Sequence, residues 1–338
     1  MKEHSRRGLL WLIPLALATF FILYYHDRPT VYQKNSGFVF GTIYNITYQS
    51  SKDLHSDIIA ELQRFDNSLS TFNPQSIISK INRNEATETD TLFRNVLRRS
   101  LALAESTDGA FDITISPLVN VWGFGFTHEQ WPDSTTVDSL KALIGYQNIA
   151  LQTDGRLTKT DPRMLITCDA VAKGYASDVI GNLLARNGIR DYMVEIGGEV
   201  VLHGRNPEGE EWRIGINKPT DNSLAVNNDL QLVLQLSDCA LATSGNYRNF
   251  YYRDGKKYAH TIDPRTGYPV QHSLLSATVV AHDCMTADAL ATAFMVMGLD
   301  DAIAYCEKHP DIDACLIYAD ENGKYQTHLT EHLKAHIR

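Results

Sequence analysis

The sequence contains few cysteines, and their spacing argues against the two structures that cysteines most often build. Five occur in 338 residues, at positions 168, 239, 284, 306 and 315. They are odd in number, widely spaced and form no CxxC pair, so neither a zinc site nor a disulfide framework is predicted. We expect these cysteines to be small, buried hydrophobic residues.

Positive charge is also scarce. The formal net charge is -9, and no basic cluster occurs outside the N-terminus, so a nucleic-acid partner bound through phosphate contacts is not expected. The sequence has no internal repeat of fixed period and no low-complexity segment. With 43% hydrophobic and 21% charged residues, the composition is typical of a globular protein with a sizeable core.

Long apolar runs are confined to the N-terminus. Arg6 and Arg7 precede a nearly uninterrupted apolar run from Leu9 to Tyr25, which is typical of an export signal or of a membrane anchor near the lower limit of about 17–25 residues. No nearby cysteine could carry a lipid, and no clear cleavage pattern follows the run. We therefore expect residues 1–27 to form an uncleaved anchor in preference to a signal that is removed. The flanking positive charge then predicts that the remainder lies on the periplasmic side of the inner membrane.

Helices and strands are predicted in mixed order along residues 28–338. Alternating polarity predicts a strand over 38–49. Apolar spacing and capping residues predict helices over 53–69, from the N-cap Asp90 to about 107, from about 169 to 187, and over 286–297. Further strand-like stretches are DYMVEI, WRIGI, LQLVLQL, YAHTI and SATVVA. This order favours a single α+β domain with antiparallel-rich sheets and flanking helices.

The stretch YAHTIDPRTGYP, residues 258–269, places a histidine, an aspartate and an arginine on one stiff turn. Pro264 and Pro269 fix their own backbone angles and restrict the residues before them, and Gly267 permits a tight reversal. The turn either holds reactive side chains in place or is an ordinary hairpin corner that happens to carry polar residues. Its sequence alone leaves both interpretations open.

Asp288 and Thr292 are four residues apart on a predicted helix, so their oxygens lie on one face. A hard cation such as magnesium or calcium prefers oxygen ligands of this kind. The alternative is that Asp288 interacts with the helix dipole while Thr292 packs. No histidine or cysteine stands at ligand spacing from them, which argues against zinc.

Three other stretches each admit a functional and an ordinary interpretation. Lys173 at a helix start could meet a phosphate together with exposed backbone amides, or could be a solvated surface lysine. The pair Gly197-Gly198 permits close approach of a ligand or another backbone, or simply forms a tight turn. Asp112 precedes a long apolar segment in which Trp122 and Phe124 suit either a planar ring or a hydrophobic core.

Taken in order, these stretches resemble the ApbE family of flavin transferases, which move the FMN portion of FAD onto a threonine or serine of a target protein. The matching motifs are GAFDITISPLV at 109–119, AKGYA at 172–176, TSGNY at 243–247 and HTIDPRTGYP at 260–269. The resemblance runs from Phe40 to about Gly298. It therefore covers nearly all of the chain after the predicted anchor.

The resemblance implies a set of FAD contacts. The implied residues are Phe40, Phe72, Ala110, Phe111, Asp112, Thr167, Lys173 and Ile262. Phe40 replaces a usual methionine and Phe72 a common tyrosine. Thr167 stands where the family usually has an aspartate, with Asp169 nearby.

The resemblance also implies a magnesium ion bound by Asp288, Thr292 and the backbone carbonyl of Ala170, with His260 as a candidate acid or base. Cleaving FAD between its phosphates develops negative charge that a divalent cation neutralises. A histidine with a pKa near 6.5 could take the proton of an acceptor hydroxyl. The acceptor would be an exported redox protein, and AMP would leave. An FAD pyrophosphatase and a non-catalytic flavin-binding protein remain alternatives.

Overall fold

A computed structural model describes residue 19 and residues 31–125, 132–219, 229–246, 250–253 and 256–338. The predicted anchor over residues 1–27 lies outside these residues except for position 19, so both the anchor and the boundary at residue 28 stay predictions. Among the residues that are described, no helix combines the length and the apolar character needed to cross a membrane.

Helices and strands alternate in groups along the chain. The helices are α1 His55–Leu69, α2 Ile77–Asn82, α3 Thr91–Ser106, α4 Ser116–Val121, α5 Ser134–Lys141, α6 Ala172–Arg186, α7 Cys284–Met297, α8 Leu299–Lys308 and α9 Glu331–Lys334. The strands are β1 Tyr32–Val39, β2 Thr42–Gln49, β3 Ile149–Leu151, β4 Leu157–Lys159, β5 Tyr192–Ile196, β6 Glu199–His203, β7 Trp212–Asn217, β8 Leu230–Leu236, β9 Cys239–Gly245, β10 Phe250–Arg253, β11 Lys256–Ala259, β12 Leu274–Ala281, β13 Asp313–Ala319 and β14 Tyr325–Leu329.

An eight-stranded antiparallel sheet forms the centre of the fold, in the order β1-β2-β5-β6-β9-β12-β13-β14. The strand pairs β3-β4, β7-β8 and β10-β11 form three smaller antiparallel ribbons. Helices and antiparallel strands in this arrangement confirm the predicted α+β class.

Successive side chains of a strand point to opposite sides of a sheet, and both faces of the central sheet contribute residues to a core. On one face, Val279 of β12 and Leu316 of β13 belong to a large core that includes residues of α1, α3, α6 and α7. On the other face, Val280 and Ile317 pack with Trp212 of the β7-β8 ribbon. The helices therefore cover one side of the sheet and the ribbon covers the other.

A third, smaller core brings the turn of residues 258–269 against two short helices. It contains Leu118 and Val121 of α4, the adjoining Trp122, Val137 of α5 and Ile262 from the turn. The aromatic residue Trp122 is therefore part of a hydrophobic cluster, as the ordinary interpretation of that segment predicts.

The predicted strand over 38–49 is wrong as a single element. Residues 32–49 form the β1-β2 hairpin, which reverses at Phe40 (φ 49°) and Gly41 (φ 74°). In a two-residue hairpin turn, positive φ at both residues gives the turn a twist that matches the twist of the two strands it joins. Asparagine, aspartate or glycine normally occupies the first of these positions, so a phenylalanine there gives no turn signal in the sequence.

The four predicted helices are confirmed with small shifts at their ends. Asp90 is the N-cap of α3 and accepts the backbone N–H of Phe93 at 2.8 Å. α7 begins two residues before the prediction, with Asp283 as its N-cap. The predicted strand YAHTI is shorter than expected: β11 ends at Ala259, and Ile262 forms only an isolated bridge with Pro269. Of the cysteines, four are buried and Cys239 is partly buried, and all are free.

Helices α6 and α7 are joined by reciprocal carboxylate contacts at their N-termini. Asp178 of α6 accepts the backbone N–H groups of Cys284 and Met285, each at 2.8 Å. In return, Asp288 of α7 accepts the backbone N–H of Gly174 in α6 at 3.0 Å. Each helix thus satisfies N–H groups that the other leaves without an intrahelical partner.

Gly174 allows this close approach because it has no side chain. A Cβ atom at this position would lie 2.3 Å from the carbonyl oxygen of Cys284 and 2.7 Å from the Cβ of Asp288. The first of these atoms belongs to the backbone and cannot rotate away. The helix crossing therefore requires glycine at position 174.

We predict that Gly174→Ala destabilises the protein by about 1–3 kcal/mol or more, because the added methyl group overpacks a rigid contact. Urea denaturation monitored by circular dichroism measures the free energy of unfolding. The matched control is Gly181→Ala on the same helix, where the nearest atom to an added Cβ is a side-chain methyl carbon of Val201 at 3.3 Å. We expect that variant to stay within about 1 kcal/mol of the parent. Equal effects of the two changes would contradict the assigned role of Gly174.

Candidate active site

A cleft of about 170 Å³ lies where three loops meet. Asp108, Gly109 and Asp112 line one side, the segment 144–147 lines the second, and Pro264 with Arg265 lines the third. The rigid turn and the GAFD motif, which are 150 residues apart in the sequence, therefore face the same opening.

Asp112 organises the wall of this cleft from within. Its Oδ1 accepts the backbone N–H of Thr114 at 2.8 Å and the Thr114 hydroxyl at 2.7 Å, and its Oδ2 accepts the N–H of Tyr146 at 2.8 Å. Burial raises the pKa of the Asp112 carboxyl, although these three donors favour the ionised form and oppose the rise. Oδ1 thus fixes the GAFD loop itself, and Oδ2 holds the segment around residue 146 against that loop.

The turn at residues 262–269 is both a hairpin corner and a rigid support. The N–H of Asp263 donates to the carbonyl of Tyr268 at 3.0 Å, and the N–H of Gly267 donates to the carbonyl of Asp263 at 2.7 Å. Arg265 donates to both carboxylate oxygens of Asp263, at 3.0 and 3.1 Å. The Trp122 indole donates to the Gly267 carbonyl at 2.8 Å. Arg265 is therefore held at the cleft by contacts that fix its own turn.

His260 is partly buried at the entry to this turn, next to the ring of Phe124, with the two ring centroids 6.3 Å apart. The following residue, Thr261, donates its hydroxyl to the Asn246 side chain at 2.5 Å. Asn246 is buried and follows the last residue of β9. The histidine is thus tied, through its neighbour, to the end of a central strand.

A second loop cluster connects the GAFD loop to the start of α6. The N–H of Thr167 donates to the carbonyl of Ile113 at 2.8 Å, and the N–H of Asp169 donates to the Thr167 hydroxyl at 3.3 Å. The Thr71 hydroxyl contacts Asp169 Oδ1 at 3.5 Å. The adjacent Phe72 is 75% exposed, so its ring is accessible to a ligand.

The N–H of Gly174 donates to a carboxylate of the neighbouring helix. Gly174 is the third residue of α6, so its N–H is one of the first donors of the helix that have no intrahelical acceptor. Here it donates to Asp288 Oδ2, and no hydrogen bond from another described residue reaches the Ala170 carbonyl. A carbonyl oxygen and a carboxylate are thus available together at the start of this helix.

Lys173 lies between two buried carboxylates. Its Nζ is 2.8 Å from Glu199 Oε1 and 4.0 Å from Asp288 Oδ1, and each carboxylate residue is only 3% exposed. Burial lowers the pKa of Lys173, but Asp288 and Glu199 outweigh it and the pKa is raised overall. Burial and the charge of Asp288 raise the pKa of Glu199, and the ammonium opposes that rise. Lys173 is an ion-paired residue of the site and not a freely solvated surface lysine.

Thr292 lies one helical turn after Asp288 on α7, as the sequence spacing predicts. Its hydroxyl is 3.3 Å from the hydroxyl of Ser244, near the end of β9. Three kinds of oxygen donor are therefore found near the α6-α7 crossing. They are the carboxylate of Asp288, the hydroxyl of Thr292 and the backbone carbonyl of Ala170.

These oxygens suit a hard divalent cation such as magnesium better than zinc. Across the described ranges, no three histidine, cysteine, aspartate or glutamate side chains gather into a metal-binding group. A site at the crossing would therefore depend on Asp288 together with uncharged oxygens, and magnesium accepts such ligands along with water. The Ala170 carbonyl, which accepts no hydrogen bond within the described part of the chain, is the observation that best fits this donor set.

Several residues implied as FAD contacts are packed in the interior. Ala110 and Phe111 are 1% and 2% exposed, and Ile262 belongs to the core around Trp122. Phe40 packs on Phe65 of α1 with ring centroids 5.3 Å apart. Their contacts with a flavin stay predictions.

Three residues of the site were not predicted as functional: Gly174, Glu199 and Ser244. All three lie inside motifs that the sequence displays, AKGYA, EIGGEV and TSGNY. A glutamate beside a glycine pair is the signal that the sequence offers for Glu199, but its partner Lys173 is 26 residues away. Such pairings depend on the tertiary fold.

Comparison with known proteins identifies a consistent set of relatives. A model of the ApbE family matches residues 40–316. The chain is 37% identical over 328 residues to the FAD:protein FMN transferase of Vibrio cholerae, covering 93% of this chain and 95% of that protein. It is 36% identical over 304 residues to the FAD:protein FMN transferase of Haemophilus influenzae, covering 85% and 87%. The solved structure of the flavin transferase ApbE from Vibrio cholerae superposes with a TM-score of 0.81 at 34% identity, covering 91% of this chain and 100% of that one.

Proposed function

The chain belongs to the ApbE family and is an FAD:protein FMN transferase, and we propose that it works with magnesium on a threonine or serine of an exported redox protein and releases AMP. The observation that carries the magnesium assignment is the Ala170 carbonyl, which accepts no hydrogen bond from the described residues and precedes the helix start to which the buried Asp288 is bound. Thr292, one turn along α7, would supply the third oxygen.

The reaction joins the acceptor oxygen to the phosphorus of the FMN portion and breaks the bond from that phosphorus to the AMP oxygen. A magnesium ion held by Ala170, Asp288 and Thr292 would offset the negative charge that develops on the phosphoryl oxygens. Lys173, charged and held near Asp288, adds positive charge at the same place. The cleft walls around Asp112 and Arg265 would orient the dinucleotide.

An incubation of the purified protein with FAD, MgCl₂ and a candidate acceptor protein tests this function. We expect a fluorescent acceptor band on a denaturing gel, together with AMP. AMP without labelled acceptor would instead indicate a pyrophosphatase, and intact bound FAD would indicate a flavin-binding protein. In the same assay Asp288→Ala should abolish transfer while fluorescence titration still detects FAD binding, because the cleft contacts remain. Undiminished transfer by this variant would contradict the metal assignment.

We also propose that His260 takes the proton from the acceptor hydroxyl, because it lies at the entry to the turn that lines the cleft. His260→Ala should lower the transfer rate about 100-fold or more, the usual contribution of a general base. The parent rate at saturating FAD and acceptor should rise with pH through the pKa of the histidine. An unperturbed histidine changes its charge between about pH 5 and 8. A parent rate that stays constant over this range would contradict the role of His260.

We propose, finally, that residues 1–27 tether the enzyme to the inner membrane with its site on the periplasmic side. The supporting observation is the arginine pair before the apolar run from Leu9 to Tyr25. In fractionated cells, the full chain should pellet with membranes, and protease added to spheroplasts should digest it. A version starting at residue 28, expressed behind a cleavable signal, should be released in the periplasmic fraction. Protection of the full chain from protease in intact spheroplasts would contradict this orientation.

A further inference from the structure

Glu199 is a buried carboxylate that the mechanism above does not use. It is the first residue of β6 and follows the turn of Gly197 (φ 66°) and Gly198 (φ 101°), whose positive φ values fix where the strand begins. Oε1 binds the Lys173 ammonium at 2.8 Å, whereas Oε2 has no hydrogen-bond partner among the described residues. Burying a carboxylate with one oxygen unsatisfied is costly, so stability alone gives no reason for it.

Lys173 is held close to two carboxylates that would compete for it. Its Nζ is in contact with Glu199 but only 4.0 Å from Asp288 Oδ1. That Asp288 oxygen is the one that Gly174 does not use. Without Glu199, the ammonium would have Asp288 as its nearest carboxylate, and it would occupy the position where a divalent cation should bind.

The surroundings of the lysine stem support this arrangement. A Cβ atom on Gly197 would lie 3.3 Å from the Cδ of Lys173 and 2.8 Å from a side-chain carbon of Thr42. The glycine turn thus packs directly on the stem. One turn further along α6, the Ser177 hydroxyl donates to the Glu199 backbone carbonyl at 3.1 Å. Glu199 and the stem of Lys173 are therefore fixed from both sides.

We propose that Glu199 is a positioning residue that restrains the Lys173 ammonium and thereby keeps one oxygen of Asp288 open for the divalent cation. This inference rests on the metal assignment in the proposed function. It differs from direct ligation because Glu199 acts through Lys173. Removing the lysine should therefore cancel the effect of removing the glutamate.

A double-mutant cycle measured by calorimetric titration of the FAD-free full chain with MgCl₂ tests the inference. We expect Glu199→Gln to weaken magnesium binding roughly tenfold or more, because the ammonium moves onto Asp288. Lys173→Met alone should bind magnesium at least as tightly as the parent. The double variant should return to within about threefold of the parent. Transfer by Glu199→Gln should fall at limiting magnesium and recover when magnesium is raised.

Glu195→Gln is the matched control, because Glu195 lies in the same hairpin and accepts the N–H of Gly198 at 2.9 Å, which a glutamine oxygen can also accept. We expect its magnesium affinity to equal that of the parent. Circular dichroism checks the fold of each variant. If Glu199→Gln does not fold, Lys173→Met alone decides the question, and weaker binding by that variant contradicts the inference.

Two results separate failure of this inference from failure of the proposed function. If Asp288→Asn binds magnesium like the parent, or the parent shows no saturable binding, the metal assignment is wrong and the inference falls with it. If Asp288→Asn loses binding but Glu199→Gln keeps it, only the inference is wrong. A double variant as weak as Glu199→Gln would also overturn it, since Glu199 would then act directly on the metal.

Discussion

One hydrogen bond, from the backbone of Gly174 to the carboxylate of Asp288, determines the chemistry available at the crossing of α6 and α7. It fixes Asp288 against the first turn of the neighbouring helix, directly after the Ala170 carbonyl, which accepts no hydrogen bond from the described residues. It also requires a residue without a side chain, because the Cys284 carbonyl lies where a Cβ would be. A packing contact between two helices thus brings a carboxylate to the helix start that follows the Ala170 carbonyl.

The rest of the site is assembled around this crossing by loops that a rigid sheet supports. Asp112 holds the segment around Tyr146 in place, Thr167 connects the GAFD loop to Asp169, and the turn at residues 262–269 closes the cleft with Arg265. Buried charges such as those of Asp288 and Glu199 cost stability. Their concentration at one helix crossing is typical of functional sites, where charged groups are kept for chemistry.

The sequence predicts those features that depend on neighbouring residues. Asp90 caps a helix by a local hydrogen bond, and Asp288 with Thr292 share a helix face by periodicity alone. It does not predict the reversal at Phe40, because a phenylalanine with positive φ is held there by its packing on Phe65. It also gives no distance between Lys173 and Glu199, which only the tertiary fold brings together.

The most direct test of this account is a crystal structure of the protein with manganese, which reports its position by anomalous scattering, and with ADP as a diphosphate that carries no flavin. We expect one cation about 2.0–2.3 Å from the Ala170 carbonyl oxygen, from an oxygen of Asp288 and from the Thr292 hydroxyl, with Gly174 still donating to the other Asp288 oxygen. A cation bound elsewhere, or an Ala170 carbonyl that instead accepts the N–H of Gly174, would contradict the central claim.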